Sequence, residues 1–188
     1  MLENIAMCQR CKLNLNQAPL LDKLRENAIM VVGISAKKSS STSEIPLDNS
    51  TKSGQLVAAM EKISEKYCIE IYRTNLVKCP PLGLDNKVRY PSQEEINACF
   101  PNILYEIKSI KPKCIILFGS LVQSAFRQNL KLHIKDVKSC TFPFIENNSC
   151  YYVSSYHPSY ISRSSRRKQQ YLQNYSALLD ILFGRECD

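Results

Sequence analysis

Apolar positions along this chain fall into two kinds of run. Ala28–Ile34 (AIMVVGI), Ile69–Val77 (IEIYRTNLV), Cys114–Phe118 (CIILF) and Tyr151–Ser155 (YYVSS) are short and rich in β-branched or aromatic residues, which predicts four strands. The first and third are continuously apolar, as expected of strands in a parallel sheet covered on both faces. Between them, Gly54–Lys66, Ser92–Ser109, Leu121–Asn129 and Gln169–Phe183 read as helices. Ser92 with Glu94 and Glu95 behind it marks a helix start, because acidic residues suit the first turn. Pro101 is expected to kink or divide that helix.

Alternation of strand and helix predicts the α/β class. The expected form is a three-layer α/β/α sandwich around a central, mainly parallel four-stranded sheet, in one domain spanning residues 1–188. Ligands of such sheets bind at the carboxyl ends of the strands. That directs attention to Gly33, Asn75, Gly119-Ser120 and Tyr156-His157-Pro158. The polar stretch Lys37–Ser43 (KKSSSTS) follows the first strand and reads as a mobile loop beside the site.

Composition narrows the class further. With 44% hydrophobic and 22% charged residues among 188, the chain lies in the range of ordinary folded proteins. Lys and Arg number 25 against 17 Asp and Glu, a net charge of +8 that suits a polyanionic partner, although a basic protein without one carries the same charge. No apolar run approaches the ~20 residues that span a bilayer, and MLENIAMCQRCK lacks the apolar core of a signal peptide. A cytoplasmic protein away from the membrane is therefore expected. Nine cysteines in a reducing compartment point to metal ligation or small buried side chains rather than disulfides.

Cys8 and Cys11 form a C-x-x-C pair, Cys79 precedes Pro80-Pro81, and Cys99 follows 20 residues later. Their spacing alone admits a four-cysteine zinc site and an iron–sulfur cluster equally. Cys68, Cys114, Cys140, Cys150 and Cys187 read as small core or surface residues. Asn75 lies near the end of the second expected strand, where its amide either caps the strand or presents donors and an acceptor to a ligand. His157 stands between a strand and a proline, on a rigid turn. His133, in a Lys-rich stretch, is assigned no role.

Taken in order, these fragments resemble the family-4 uracil-DNA glycosylases of the uracil-DNA glycosylase superfamily. The likeness runs through Cys8-x-x-Cys11, Gly33, Ile45-Pro46-Leu47, Ser53-Gly54-Gln55-Leu56 and Thr74-Asn75-Leu76-Val77-Lys78-Cys79-Pro80-Pro81. It continues with Pro91, Glu94, Glu95, Cys99, Lys111-Pro112-Lys113, Gly119 and Tyr156-His157-Pro158-Ser159, ending in Arg163. The resemblance implies a [4Fe–4S] cluster on Cys8, Cys11, Cys79 and Cys99, with zinc as the alternative. It implies DNA as the partner of a monomeric enzyme, with His157 donating a hydrogen bond to the base oxygen that gains charge and Asn75 reading the base. Gly33, Ile34, Ser35, Leu47, Asn86 and Ser120 would complete the base pocket. Tyr160 and Ile161 would form a wedge, and Ser159, Arg163, Arg166, Arg167 and Lys168 would lie against DNA.

The first motif departs from the family. Family-4 enzymes carry Gly-Glu-x-Pro-Gly, whose acid assists the attacking water, whereas this chain has Gly33-Ile34-Ser35-Ala36-Lys37. The family's stacking phenylalanine corresponds to Leu47. Either the reaction runs without that carboxylate, or a substitute such as Glu44 or Asp48 reaches in, or the protein binds DNA without cleaving. The target is expected to be uracil or, given the reshaped pocket, a bulky modified pyrimidine of the kind found in virus genomes, in repair or in restriction of foreign DNA. Three functional classes follow: a monofunctional glycosylase, a silent DNA-binding protein of the same fold, and a cluster-bearing structural or redox protein without DNA.

Overall fold

The computed structural model describes residues 3–39, 41, 43–138 and 141–184. A short helix α1 (Glu3–Ala6) precedes β1 (Ile29–Ser35), α2 (Lys52–Ser64), β2 (Ile71–Val77), α3 (Gln93–Ile110), β3 (Cys114–Phe118) and α4 (Ser120–Leu130). The chain continues through β4 (Phe144–Asn147), β5 (Cys150–Ser155), α5 (Pro158–Ile161) and α6 (Ser165–Phe183). The sheet order is β2-β1-β3-β5-β4, parallel except for β4, which runs antiparallel to β5.

Period-two alternation explains why β1 is apolar throughout. Ile29 and Val31 pack on one face with Leu56, Met60, Tyr171 and Tyr175 from α2 and α6. Met30 and Val32 pack on the other with Phe100, Ile103, Val122 and Phe126 from α3 and α4. Helices therefore cover both faces of the sheet, and the three-layer reading is borne out. The order 2-1-3 also places a topological switch at β1, where a crevice opens beyond the strand ends.

Four of the strands match the sequence pattern, but among the described residues the sheet has five. β4 is an exposed, four-residue edge strand without an apolar run, joined to β5 by Asn148 and Ser149. Both adopt positive φ, of 51° and 60°, as in the tight turns that match strand twist in hairpins. Pro101 does not divide α3, which runs unbroken from residue 93 to 110. The carbonyl that Pro101 leaves without its helical donor belongs to Asn97, an exposed residue that water can reach. The helix start that the sequence marked at Ser92 is present, and Ser92 caps α3 in a reciprocal box with Glu95. Helix α6 starts four residues earlier than expected, with the Ser164 side chain accepting from the Arg167 N–H. Ser40 and Thr42 of the Lys37–Ser43 stretch, together with Cys140 and Cys187, lie outside the described residues.

Candidate active site

The carboxyl ends of β1, β2 and β5 converge on a cavity of about 360 Å³. Ile34, Ser35, Leu47, Asn75 and His157 all line it, so five of the expected pocket residues are brought together. Gly33 lies beneath them, paired in register with Asn75 across the β1–β2 ladder. A Cβ on Gly33 would overlap Asn75 Oδ1 and come 3.2 Å from Leu47 Cδ2. Glycine is thus required because the Asn75 carboxamide occupies that space, and Asn75 is held at 3% exposure.

His157 is the N-cap of α5. Its Nδ1 accepts the Ser159 backbone N–H at 3.2 Å and lies 2.8 Å from Ser159 Oγ. A backbone donor at Nδ1 assigns the proton of the neutral ring to Nε2, leaving an N–H available to a ligand. Burial lowers the His157 pKa from its ordinary value, which favours that neutral form. Gly119, at φ 87°, brings the end of β3 beneath the ring, where a Cβ would stand 3.4 Å from His157 Cβ. The backbone conformation favours glycine there, while a Cβ would meet His157 only at ordinary contact distance.

Two buried cations brace the floor. Lys78 is 1% exposed, and its Nζ bonds Glu106, the Thr74 hydroxyl and, at 2.8 Å, the Asn75 carbonyl. Glu106 also accepts from Tyr72 and Thr74, so every member of this buried group is satisfied. Arg73 forks onto Glu61 through Nε at 2.9 Å and Nη2 at 2.6 Å, while its Nη1 donates to the Leu47 carbonyl at 2.7 Å. Leu47 adopts φ 53°, a left-handed conformation that costs a branched L-residue about 1 kcal/mol and that the Arg73 bond holds in place.

Residues 22–180 match the family model of the uracil DNA glycosylase superfamily. The chain belongs to that superfamily. By class it is a DNA glycosylase, a hydrolase of N-glycosidic bonds. The type-4 uracil-DNA glycosylase of Saccharolobus solfataricus is 28% identical over 171 aligned positions, covering 84% of this chain and 73% of that protein. The type-4 enzymes of Thermotoga maritima and Pyrobaculum aerophilum are each 25% identical, covering 86% and 99% of this chain and 81% and 93% of those proteins.

In this superfamily member a second cavity, of about 450 Å³, adjoins the first. Ile34, Tyr90 and His157 line both, and Ser120 lines the second only. Asn86 lines neither. It is exposed at φ 59° in a turn where its N–H meets the Gly83 carbonyl, so the structure gives it a turn role outside the pocket.

The lip beyond His157 is aromatic and basic. Tyr156 and Tyr160 rings lie 4.9 Å apart, and the Arg167 guanidinium stands 4.3 Å from the Tyr160 centroid. Tyr160 is 40% exposed, but Ile161 is 0% exposed in the core under α2 and α6. Of the expected wedge pair, Ile161 is therefore corrected to a core residue, and Tyr160 alone presents a ring. Arg163 and Arg166 are exposed, Lys168 is partly so, and Ser159 is engaged by His157.

Cys8, Cys11, Cys79 and Cys99 line one small cavity with Lys78 and Asn102. All four are free thiols. The Asn102 amide donates to Cys8 Sγ at 3.3 Å and Cys99 Sγ at 3.7 Å, and the Lys78 backbone N–H donates to Cys99 Sγ at 3.4 Å. Burial, reinforced by the three neighbouring thiols, pushes Cys79 up to about 12. A metal cation bound there would displace the thiol protons to water. Among the described residues, no group of three or more His, Cys, Asp or Glu stands close enough to hold a metal ion.

Sequence reasoning missed Tyr90, Arg89 and Thr51 on the cavity wall, gave no role to Lys37 and Ser53 there, and missed the Lys78–Glu106 and Arg73–Glu61 braces. The braces join residues 28 and 12 positions apart through tertiary packing, which leaves no local pattern. Cys68 is exposed while Cys114 and Cys150 are buried, as expected of cysteines outside the four. No helix among the described residues is long and apolar enough to cross a membrane.

Proposed function

We propose that this protein flips a base out of DNA into the 360 Å³ cavity and hydrolyses its N-glycosidic bond, leaving an abasic site. The observation that carries this reading is the convergence of Asn75 and His157 on one cavity, with the His157 ring held neutral and its donor nitrogen left for a ligand. The Asn75 amide reads the Watson–Crick edge of the base. The His157 N–H meets the base oxygen on which negative charge grows as the bond breaks, the kind of preorganised donation that contributes most to such catalysis.

DNA lies along the lip. Tyr160 enters the duplex beside the flipped nucleotide, and Arg163, Arg166, Arg167 and Lys168 contact phosphates, with Ser159 beside them. Arg166, Arg167 and Lys168 sit in the first turn of α6, where the helix dipole opposes cations. A phosphate backbone relieves that conflict.

The relatives named above are uracil-DNA glycosylases, and uracil is one expected target. Leu47 and Ile34 in place of a ring and a carboxylate, together with the second cavity sharing Ile34, Tyr90 and His157, support a larger modified pyrimidine. Ser120 would meet its substituent. Cys8, Cys11, Cys79 and Cys99 would hold a [4Fe–4S] cluster, with N–H donors at the sulfurs as such clusters have. Bound there, the cluster would tie the N-terminal segment to β2 and α3 and so add to folding stability. The enzyme acts as a cytoplasmic monomer.

Incubation with duplex and single-stranded DNA carrying a panel of altered bases, followed by alkali, tests the reading. Strand scission with at least one base, lost in His157→Ala, is the expected result. Salt-dependent DNA binding without base release, unchanged in His157→Ala, would instead identify a silent DNA-binding protein.

A further inference from the structure

We propose that Asp48 supplies the carboxylate that position 34 lacks, as a catalytic residue facing the sugar of the flipped nucleotide. This rests on the glycosylase reading above. Among the described residues, Asp48 is the one acid that lines the cavity holding Asn75 and His157. Glu44, the other acid near the first motif, is absent from that lining and is engaged by Lys37 at 2.8 Å.

Asp48 is presented by a loop fixed from three directions. Its carbonyl accepts from Thr51 N at 2.9 Å and Thr51 Oγ1 at 2.8 Å. A Cβ on Gly54 would overlap that same carbonyl, so only glycine lets α2 pack flush against it. The preceding Leu47 carbonyl is held by Arg73, itself forked onto Glu61, and Leu47 keeps its left-handed φ of 53° under that restraint. A strained residue beside a cavity wall and braced by buried charge is where strain is found when it serves a site.

The side chain is prepared as an anion. Asp48 Oδ1 accepts from Ser50 N at 2.8 Å, and the Ser50 bonds hold its carboxyl below the usual range, aided by the charges of Lys37 and Arg73. A carboxylate is the wrong group for gripping a polyanion, but it suits a sugar that turns cationic. In the step we assign, the C1′–N bond breaks and its electron pair leaves on the base, steadied by His157. Water oxygen bonds C1′, one water proton passes to Asp48, and that proton then reaches the departed base. The products are an abasic sugar hydroxyl and the protonated free base.

Asp48→Asn is nearly isosteric and keeps an oxygen for the Ser50 N–H, so the loop survives. Single-turnover release of whichever base the wild type excises, measured beside equilibrium DNA affinity, reads the effect. The expected outcome is a rate about 100-fold lower or worse with affinity unchanged, the range of a lost general base. Asp48→Glu should retain part of the rate. Ile34→Glu added to Asp48→Asn, which returns a carboxylate to the family's position, should recover roughly tenfold or more of it. Asp48→Asn at the wild-type rate, or losing rate and affinity together, overturns this assignment alone. A wild type that releases no base from any DNA overturns the glycosylase reading and this proposal with it.

Discussion

Gly33 and Asn75 face each other across the β1–β2 ladder, and the Asn75 carboxamide fills the space in which any larger residue at 33 would carry its Cβ. The position of the amide is thus written into the neighbouring strand. Gly33→Ala should displace it while β1 stays in register. Because a 1 Å misplacement can cost about 100-fold, base release should fall by about that factor with little change in melting temperature. Parallel assays of rate and thermal unfolding check this; an unchanged rate would show that the amide can shift without consequence.

His157 makes a pH prediction with a definite sign. Burial holds its pKa below the usual value of about 6.5, and Nδ1 already faces the Ser159 N–H, so protonation would set one donor against another. The rate should stay level above that value and fall only at lower pH, with a midpoint below about 6.5. Stability follows the same direction. Between the two pKa values the unfolded chain binds more protons, so this contribution is complete above the unfolded value and is lost on acidification. A pH–rate midpoint at or above that of free histidine contradicts the assignment.

Breaking the buried Lys78–Glu106 pair should be costly. Lys78→Met leaves Glu106, at 0% exposure, without its cation, a loss of about 3–5 kcal/mol in denaturant unfolding. Replacing both with Met should recover part of that stability, less the desolvation of the Tyr72 and Thr74 hydroxyls. Base release should stay impaired in the double variant, since the Asn75 carbonyl has lost its Nζ donor.

The four-cysteine cavity predicts a brown protein containing iron and sulfide. Cys79→Ser or Cys99→Ser should bleach it and lower its melting temperature, because cluster ligation is coupled to folding. Colourless protein with stoichiometric zinc would assign the site to that metal.

Much of this was legible in the chain, and the gaps have physical reasons. β1 and β3 announced themselves because a strand covered on both faces must be apolar throughout. Strand β4 did not, since an exposed edge needs no apolar run and its turn rests on Asn148 and Ser149. Cys8, Cys11, Cys79 and Cys99 could be grouped from motif order, and the structure brings them to one cavity. Ile161 was misjudged because adjacency to Tyr160 says nothing of which side a one-turn helix buries. Asn86 was misjudged because an asparagine in a left-handed turn and one reading a base look alike in sequence. The braces of Arg73 and Lys78 exist only once β2 packs on α2 and α3, so no local pattern could reveal them.

If Asn75 and His157 act together, a flipped base is cut free in the cavity they share. Mass spectrometry of the small molecules released from DNA carrying each candidate base tests it most directly, with wild type and His157→Ala side by side. The wild type should yield a free base and an unbroken, alkali-labile strand, and the variant a rate lower by about 100–1000-fold. Release of no base by a wild type that still binds DNA, or equal release by both proteins, would contradict it.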